Sequence, residues 1–137
     1  MSELLTFPPD FVFGVATSAY QTEGGIENDW SDWERQGRLH DKAARCGRAC
    51  EHWERFFDDI SLVQRLNATA YRFSIEWARV EPKRGVWNDE AWAGYRARAE
   101  ALVKAGIRPV VTLHHFTHPS WFHGECPWTS PASLPAW

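Results

Sequence analysis

Two segments of the chain are predicted to be helices. In EHWERFFDDISLVQRL, residues 51–66, the apolar positions are 53, 56, 57, 60, 63 and 66, which share one helical face. The second helix is predicted over residues 89–105, because Asn88 suits its N-cap and Gly106 stands where a glycine commonly follows a helix. Ser130 before Pro131 indicates the start of a further helix.

Three short apolar runs are predicted to be strands, at residues 11–19, 70–76 and 107–115. The third run is apolar on both faces, as in a parallel strand covered by helices. Residues 24–48 show no sustained period and are predicted to form a long loop. Strands alternating with helices predict an α/β fold with a parallel sheet, and both a doubly wound sheet and a closed barrel fit this order. The run GVATSAYQ is not G-x-G-x-x-G, which argues against a nucleotide-binding sheet.

Composition narrows the class of protein. The 137 residues are 44% hydrophobic and 24% charged, as in an ordinary globular domain. A net charge of -3 gives no support to nucleic-acid binding, and no apolar run approaches the ~18 residues of a membrane span. The first residues lack the features of a signal peptide, so we expect a cytoplasmic protein. Reduced thiols are expected at the unpaired cysteines Cys46, Cys50 and Cys126.

Polar and aromatic side chains stand at the ends of the predicted strands. They are Gln21 with Glu23, Glu76 with Trp77, and His114 and His115 with Phe116. In a parallel β/α barrel these carboxyl ends carry the active site. An amide, carboxylates, imidazoles and aromatic rings suit a polyhydroxylated ligand, because its hydroxyls need hydrogen bonds and its C–H faces need apolar contacts.

A metal site and simple packing are the competing interpretations of the histidines. His114 and His118 are four residues apart, but that spacing joins two imidazoles on a helix and not on a strand. A zinc cluster with Cys126 is the remaining metal hypothesis, and we predict no metal site. Adjacent strand residues point to opposite faces, so only one of His114 and His115 can face a barrel lumen. The other histidine is expected to pack against the surrounding structure.

Three ordered motifs resemble one family. FVFGVATSAYQTEGG, HWERFFDDISLVQRLNATAYRFSIEWARVEP and GIRPVVTLHHFTHPSWF are similar to successive segments of glycoside hydrolase family 1, the β-glucosidases and related β-glycosidases. The second segment contains Y-R-F-S-I and W-x-R-x-x-P, and the third fits T-L-x-H-[WF]. The resemblance runs from Phe7 to about Trp128 and implies the first three β/α units of a (β/α)8 TIM barrel. It further implies a retaining hydrolase, without a cofactor, that acts on β-linked oligosaccharides or on aryl or alkyl β-glycosides.

The resemblance also implies roles for individual residues. Gln21 and His115 match residues that hydrogen-bond the hydroxyls of the innermost sugar. Arg72 matches the arginine beside the nucleophile carboxylate, where a cation favours the ionised form. Phe116 stands where many members have tryptophan and keeps an apolar wall. Glu23 completes a Q-x-E motif and is expected in the substrate-binding group through a supporting hydrogen bond.

The catalytic carboxylates of the family are missing from this sequence. Retaining glycosidases need two carboxylates about 5–5.5 Å apart, and the family carries them in T-[FL]-N-E-P and [IV]-T-E-N-G, neither of which occurs here. Glu23 and Glu76 are not expected to replace them, and Glu76 is expected to form a cap or an ion pair. A β/α barrel takes ~250 residues, so residues 1–137 are expected to be an N-terminal fragment of one barrel domain without catalytic residues. A non-catalytic sugar-binding remnant and a structural fragment that completes another chain's barrel are the alternatives.

Overall fold

Three parallel strands form the centre of the fold. The computed structural model describes residues 6–41, 45–125 and 128–136. The strands are β1 (Gly14–Ala16), β2 (Ala70–Ser74) and β3 (Arg108–Thr112), in the spatial order β1-β2-β3. Both pairings are parallel, and Ala16, Arg72 and Val110 stand side by side across the sheet. The predicted strands are therefore confirmed, with shorter bounds. Their order follows the chain without reversal, as in a barrel.

Helices connect the strands and surround them. Their bounds are α1 Ala19–Thr22, α2 Asp29–Arg35, α3 His52–Arg65, α4 Trp77–Val80, α5 Asp89–Lys104 and α6 Ser120–Glu125, with a 3₁₀ helix at Pro131–Ala136. The two predicted long helices correspond to α3 and α5: the bounds of α3 differ by one residue at each end, and α5 begins where predicted and ends one residue earlier. Asn88 caps α5 by accepting a hydrogen bond from the backbone N–H of Ala91 at 3.1 Å. None of the described helices combines the length and the apolar run that a bilayer crossing requires.

The loop prediction for residues 24–48 is wrong in part, because it contains α2. Asn28 and Ser31 form a reciprocal capping box at the start of this helix. Asn28 is completely buried, and its side-chain amide also donates to the Glu76 carboxylate at 3.2 Å. Seven residues span about two turns and are too short to show a hydrophobic period. Tertiary hydrogen bonds thus stabilise a helix that the pattern could not reveal.

The main core lies between the sheet and helices α3 and α5. Phe56 of α3, Tyr71 and Phe73 of β2, and Leu102 of α5 are buried together in it. Strand β2 is buried along most of its length, but β3 exposes Val110 by 44% and Val111 by 41%. The expectation of cover on both faces of the third strand is therefore wrong for the described residues. Only one neighbouring strand pairs with β3 among them, so its outer edge stays open.

Adjacent positions on α5 provide a matched test of this core. Leu102 is fully buried, whereas Val103 is 63% exposed. We expect Leu102→Ala to destabilise the chain by about 2–5 kcal/mol, because it leaves a cavity between helix and sheet. Val103→Ala should change the free energy of unfolding by less than about 0.5 kcal/mol. Pulse proteolysis in urea, at one protein concentration for all variants, measures both effects. Equal destabilisation by the two substitutions would contradict this packing.

Candidate functional site

Arg72 joins the carboxyl ends of the three strands. Its Nη1 donates a hydrogen bond to the Thr17 carbonyl, one residue after β1, at 3.3 Å. The same nitrogen lies 3.3 Å from Nδ1 of His115, which follows β3. Arg72 is in the middle of β2, and its neighbours Tyr71 and Phe73 point into the helix-covered core, so its side chain projects from the other face. The strand register therefore gathers these groups at the carboxyl end of the sheet.

The contact with Arg72 determines which nitrogen of His115 carries the proton. A guanidinium only donates hydrogen bonds, so Nδ1 of His115 must act as an acceptor. Burial, and after it the Arg72 charge, lower the pKa of His115 and favour the neutral ring. A neutral imidazole that accepts at Nδ1 carries its hydrogen on Nε2. His115 is half-buried, and this N–H can donate to an oxygen of a ligand.

The neighbouring His114 points away from Arg72. Its ring lies 6.5 Å from that of His118, nearly parallel to it, and 5.2 Å from the ring of Trp128. Burial lowers the pKa of His114, so its neutral form is favoured. The two adjacent histidines, which follow the end of β3, thus make different contacts: His115 with Arg72, and His114 with the rings of His118 and Trp128. His115 joins the site, and His114 packs among other rings.

Gln21 lies in the short helix α1 that follows β1. The backbone N–H of Ala19 donates to the Ser74 hydroxyl at 2.7 Å, which ties the start of α1 to the end of β2. The Ser18 hydroxyl donates to Oε1 of Gln21 at 2.5 Å and orients the amide. Gln21 itself is exposed. A solvent-accessible amide is therefore held close to the carboxyl end of the sheet.

Aromatic rings from α1, α2 and the segment after β3 form a wall beside the carboxyl end of the sheet. The ring of Phe116 meets Trp30 of α2 edge-on, with centroids 5.1 Å apart, and Tyr20 of α1 at 6.5 Å. Phe116 and Trp30 remain 38% and 44% exposed. Phe116 adopts a positive φ of 57°, which is uncommon for a large side chain and directs its ring toward α2. The sequence pattern does not indicate Trp30, because it predicts a loop where α2 lies.

Glu23 is buried behind the site and does not face it. Its Oε2 accepts hydrogen bonds from Arg79 Nε and from the Tyr95 hydroxyl, both at 3.0 Å. Burial raises its pKa to about 7, although Arg79 acts in the opposite direction. Residues two apart on a helix differ by about 200° in direction, so Gln21 and Glu23 face different sides. Direct sugar contact by Glu23 does not fit this placement, whereas a supporting role does.

Glu76 is the second buried carboxylate. It accepts hydrogen bonds from the Asn28 amide at 3.2 Å and from the Thr117 hydroxyl at 2.8 Å. Burial raises its pKa, and these two hydrogen bonds oppose that shift. Glu76 occupies the N-cap position of α4, but its side chain makes no cap hydrogen bond. The expected cap or ion pair is replaced by links from α2 and from the segment after β3, which hold the aromatic wall in position.

The cysteine and metal predictions have different outcomes. Cys46 and Cys50 are free thiols, as expected. Cys126, and with it the hypothetical zinc cluster, lies outside the described residues. The structure brings His118 close to His123 and Asp29, a combination that the spacing of histidines did not indicate.

Comparison with known proteins places this arrangement in a family. A model of glycosyl hydrolase family 1 matches residues 4–136. The coniferin β-glucosidase of Pinus contorta is 40% identical over 121 residues, which are 82% of this chain and 23% of that enzyme. β-Glucosidase 11 of Arabidopsis thaliana is 38% identical over 126 residues, which are 87% of this chain and 24% of the relative.

Solved structures share the fold of this chain. A β-glycosidase from Pyrococcus horikoshii has a TM-score of 0.87 at 44% identity, with 96% of this chain and 30% of that one covered. The Thermotoga maritima β-glucosidase in complex with a methoxycarbonyl-substituted glucoimidazole has a TM-score of 0.85 at 30% identity, with 90% and 30% covered. The chain therefore spans between about a quarter and a third of the proteins it matches. It belongs to glycosyl hydrolase family 1, and its three parallel strands are the first three β/α units of the family's TIM barrel.

Proposed function

We propose that this chain supplies the wall of a retaining β-glycosidase site that binds the innermost sugar. The observation that carries the proposal is the convergence of Arg72, His115 and the Thr17 carbonyl at the carboxyl ends of three neighbouring strands. In barrel enzymes these ends carry the chemistry. The substrate is a β-linked oligosaccharide or an aryl or alkyl β-glycoside. The complex of the related Thermotoga maritima β-glucosidase with a methoxycarbonyl-substituted glucoimidazole supports a glucoside as the substrate.

The hydroxyl groups of a sugar require hydrogen bonds and its C–H groups require apolar contacts, and the carboxyl end of the sheet offers both. The Nε2–H of His115 donates to a hydroxyl oxygen, and the exposed amide of Gln21 can both donate and accept. Phe116 and Trp30 give apolar surface for the C–H groups of a sugar ring. Hydrogen bonds to sugar hydroxyls strengthen as the oxocarbenium-like transition state forms, so these residues contribute to the rate as well as to binding.

The carboxylates that break the glycosidic bond come from segments outside this sequence. A retaining pair must reach the anomeric carbon and the leaving oxygen from a separation of about 5–5.5 Å. Glu23 and Glu76 are almost completely buried and already accept hydrogen bonds from protein groups. Arg72 uses Nη1 for its described contacts, and its other N–H groups are suited to a carboxylate. Arg72 would thereby keep the nucleophile ionised.

The histidine pair provides the test of this proposal. The segment is grafted onto the remainder of the Pyrococcus horikoshii β-glycosidase, whose corresponding part is 44% identical. We expect His115→Ala to lower kcat/KM by about 10²-fold, with a clear part of the loss in kcat, because a transition-state hydrogen bond is removed. His114→Ala is the matched control and should leave the kinetics of the folded enzyme nearly unchanged. A damaging His114→Ala together with an unaffected His115→Ala would reject the assignment.

A further inference from the structure

Two histidines and one aspartate meet beside the aromatic wall. His118 lies between β3 and α6, His123 is on α6, and Asp29 is the first residue of α2. One ligand atom from each of them lies within 4.8 Å of the other two. His118 and Asp29 are largely buried, whereas His123 is exposed. The catalytic proposal uses none of these three residues.

The distances in this cluster suit a shared ion better than direct hydrogen bonds. Nε2 of His118 is 3.6 Å from Oδ2 of Asp29 and 3.4 Å from Nδ1 of His123. Good hydrogen bonds between such groups are about 2.7–3.2 Å long. Ligands about 2.0–2.1 Å from a tetrahedral zinc ion are separated from each other by about 3.4 Å. Both measured separations are therefore close to the edges of a zinc tetrahedron.

The backbone holds the buried half of the cluster in place. The N–H of His118 donates to Oδ1 of Asp29 at 2.9 Å, and the N–H of Asp29 donates to the His118 carbonyl at 3.1 Å. This reciprocal pair leaves Oδ2 directed at the imidazole. Nδ1 of His118 is buried, so Nε2 is the ring nitrogen that faces Asp29 and His123. A cation would therefore bind this ring at Nε2.

The charge of the three side chains and the access of solvent to the cluster also fit a divalent cation. Coordination by two imidazoles and one carboxylate would place one negatively charged ligand against the two positive charges of the ion. A cavity of about 260 Å³, lined by Asp29 and His123 among others, leads to the cluster from solvent. The guanidinium of Arg38 lies in the same cavity, but it stacks on Trp33 with its carbon 4.6 Å from the ring centre.

We propose that Asp29, His118 and His123 bind one Zn²⁺ ion, with solvent as the fourth ligand. Three protein ligands and an open position are an ordinary coordination set for this metal. The ligand atoms of His123 and Asp29 lie within 4.8 Å of each other, and this third edge is closed by rotation of the exposed His123 side chain. The ion ties α2 to the segment that follows β3. Because α2 carries Trp30 and that segment carries Phe116, the ion links the two parts of the chain that bear the aromatic wall.

Cobalt and zinc titrations of the metal-free 137-residue chain test this site. We expect one equivalent of Co²⁺ to give the intense visible absorption of a tetrahedral ion and to be displaced by Zn²⁺. His123→Ala and Asp29→Asn should weaken binding at least tenfold. His40→Ala removes an exposed histidine outside the cluster and should leave binding unchanged. Zinc should raise the urea midpoint of the chain and of His40→Ala, but not that of His123→Ala.

Several results would overturn the proposal. Equal zinc affinity in the chain and in His123→Ala would show that the cluster does not hold the ion. Sulfur-to-cobalt charge-transfer bands would place the ion on cysteine thiols instead. The weak spectrum of an octahedral ion, without any shift of the urea midpoint, would mean that the three side chains form only a hydrogen-bonded group.

Discussion

The 137-residue chain alone is expected to release no product from a chromogenic aryl β-glucoside above the uncatalysed rate. Retaining hydrolysis requires a nucleophile that forms a glycosyl-enzyme intermediate and an acid that protonates the leaving oxygen. The two buried carboxylates near the site, Glu23 and Glu76, are both engaged by protein donors. Enzymes accelerate such reactions by at least ~10⁶-fold, so even a trace of competent site would be detected.

Adding the missing segments of a related enzyme provides the positive control for this experiment. Joining the chain to the remaining segments of the Pyrococcus horikoshii enzyme, as a fusion or as two chains, should restore turnover, because it supplies the missing carboxylates and covers the exposed residues of β3. Glu23→Gln and Glu76→Gln are the controls in the unfused chain, where both should leave the background rate unchanged. Turnover by the chain alone that disappears with either substitution would show that a catalytic carboxylate is already present, and our assignment would fail.

Arg72→Met in the grafted enzyme should lower kcat by about 10²- to 10³-fold, the usual effect of removing one preorganised electrostatic partner. Methionine keeps much of the side-chain volume but removes the charge and all the donors. His115 would lose the donor at Nδ1 that directs its hydrogen to Nε2. The nucleophile would lose the cation that keeps its pKa low.

The pH profile separates this electrostatic role from a structural one. The nucleophile acts in its ionised form, so a raised pKa should move the acidic limb of the kcat/KM profile to higher pH. Arg72→Lys keeps the charge and should move that limb less. Arg55→Met removes an exposed arginine of α3 and should change neither rate nor profile. An Arg72→Met enzyme whose rate falls without any shift of the acidic limb would indicate misfolding of the site instead.

The sequence by itself determined the order of the elements, the long helices and the parallel sheet. Helices α3 and α5 extend over 14 and 16 residues, which is long enough for an apolar face to repeat several times. The strands were recognisable because apolar runs alternate with these helices. Gln21, Arg72 and His115 could be proposed from the sequence because each lies in a contiguous motif that resembles the family, and their roles stay predictions.

The tertiary structure decided everything that depends on contacts between distant segments. Helices α2 and α6 have seven and six residues, too few for a periodic signal, and α2 is stabilised by Asn28 and its link to Glu76. The strand register brought Arg72 against His115 and turned His114 away. Asp29 met His118 across 89 positions of the chain, a proximity that no local spacing encodes. Local patterns specify elements because neighbouring residues share one backbone geometry, whereas sites arise from packing between elements.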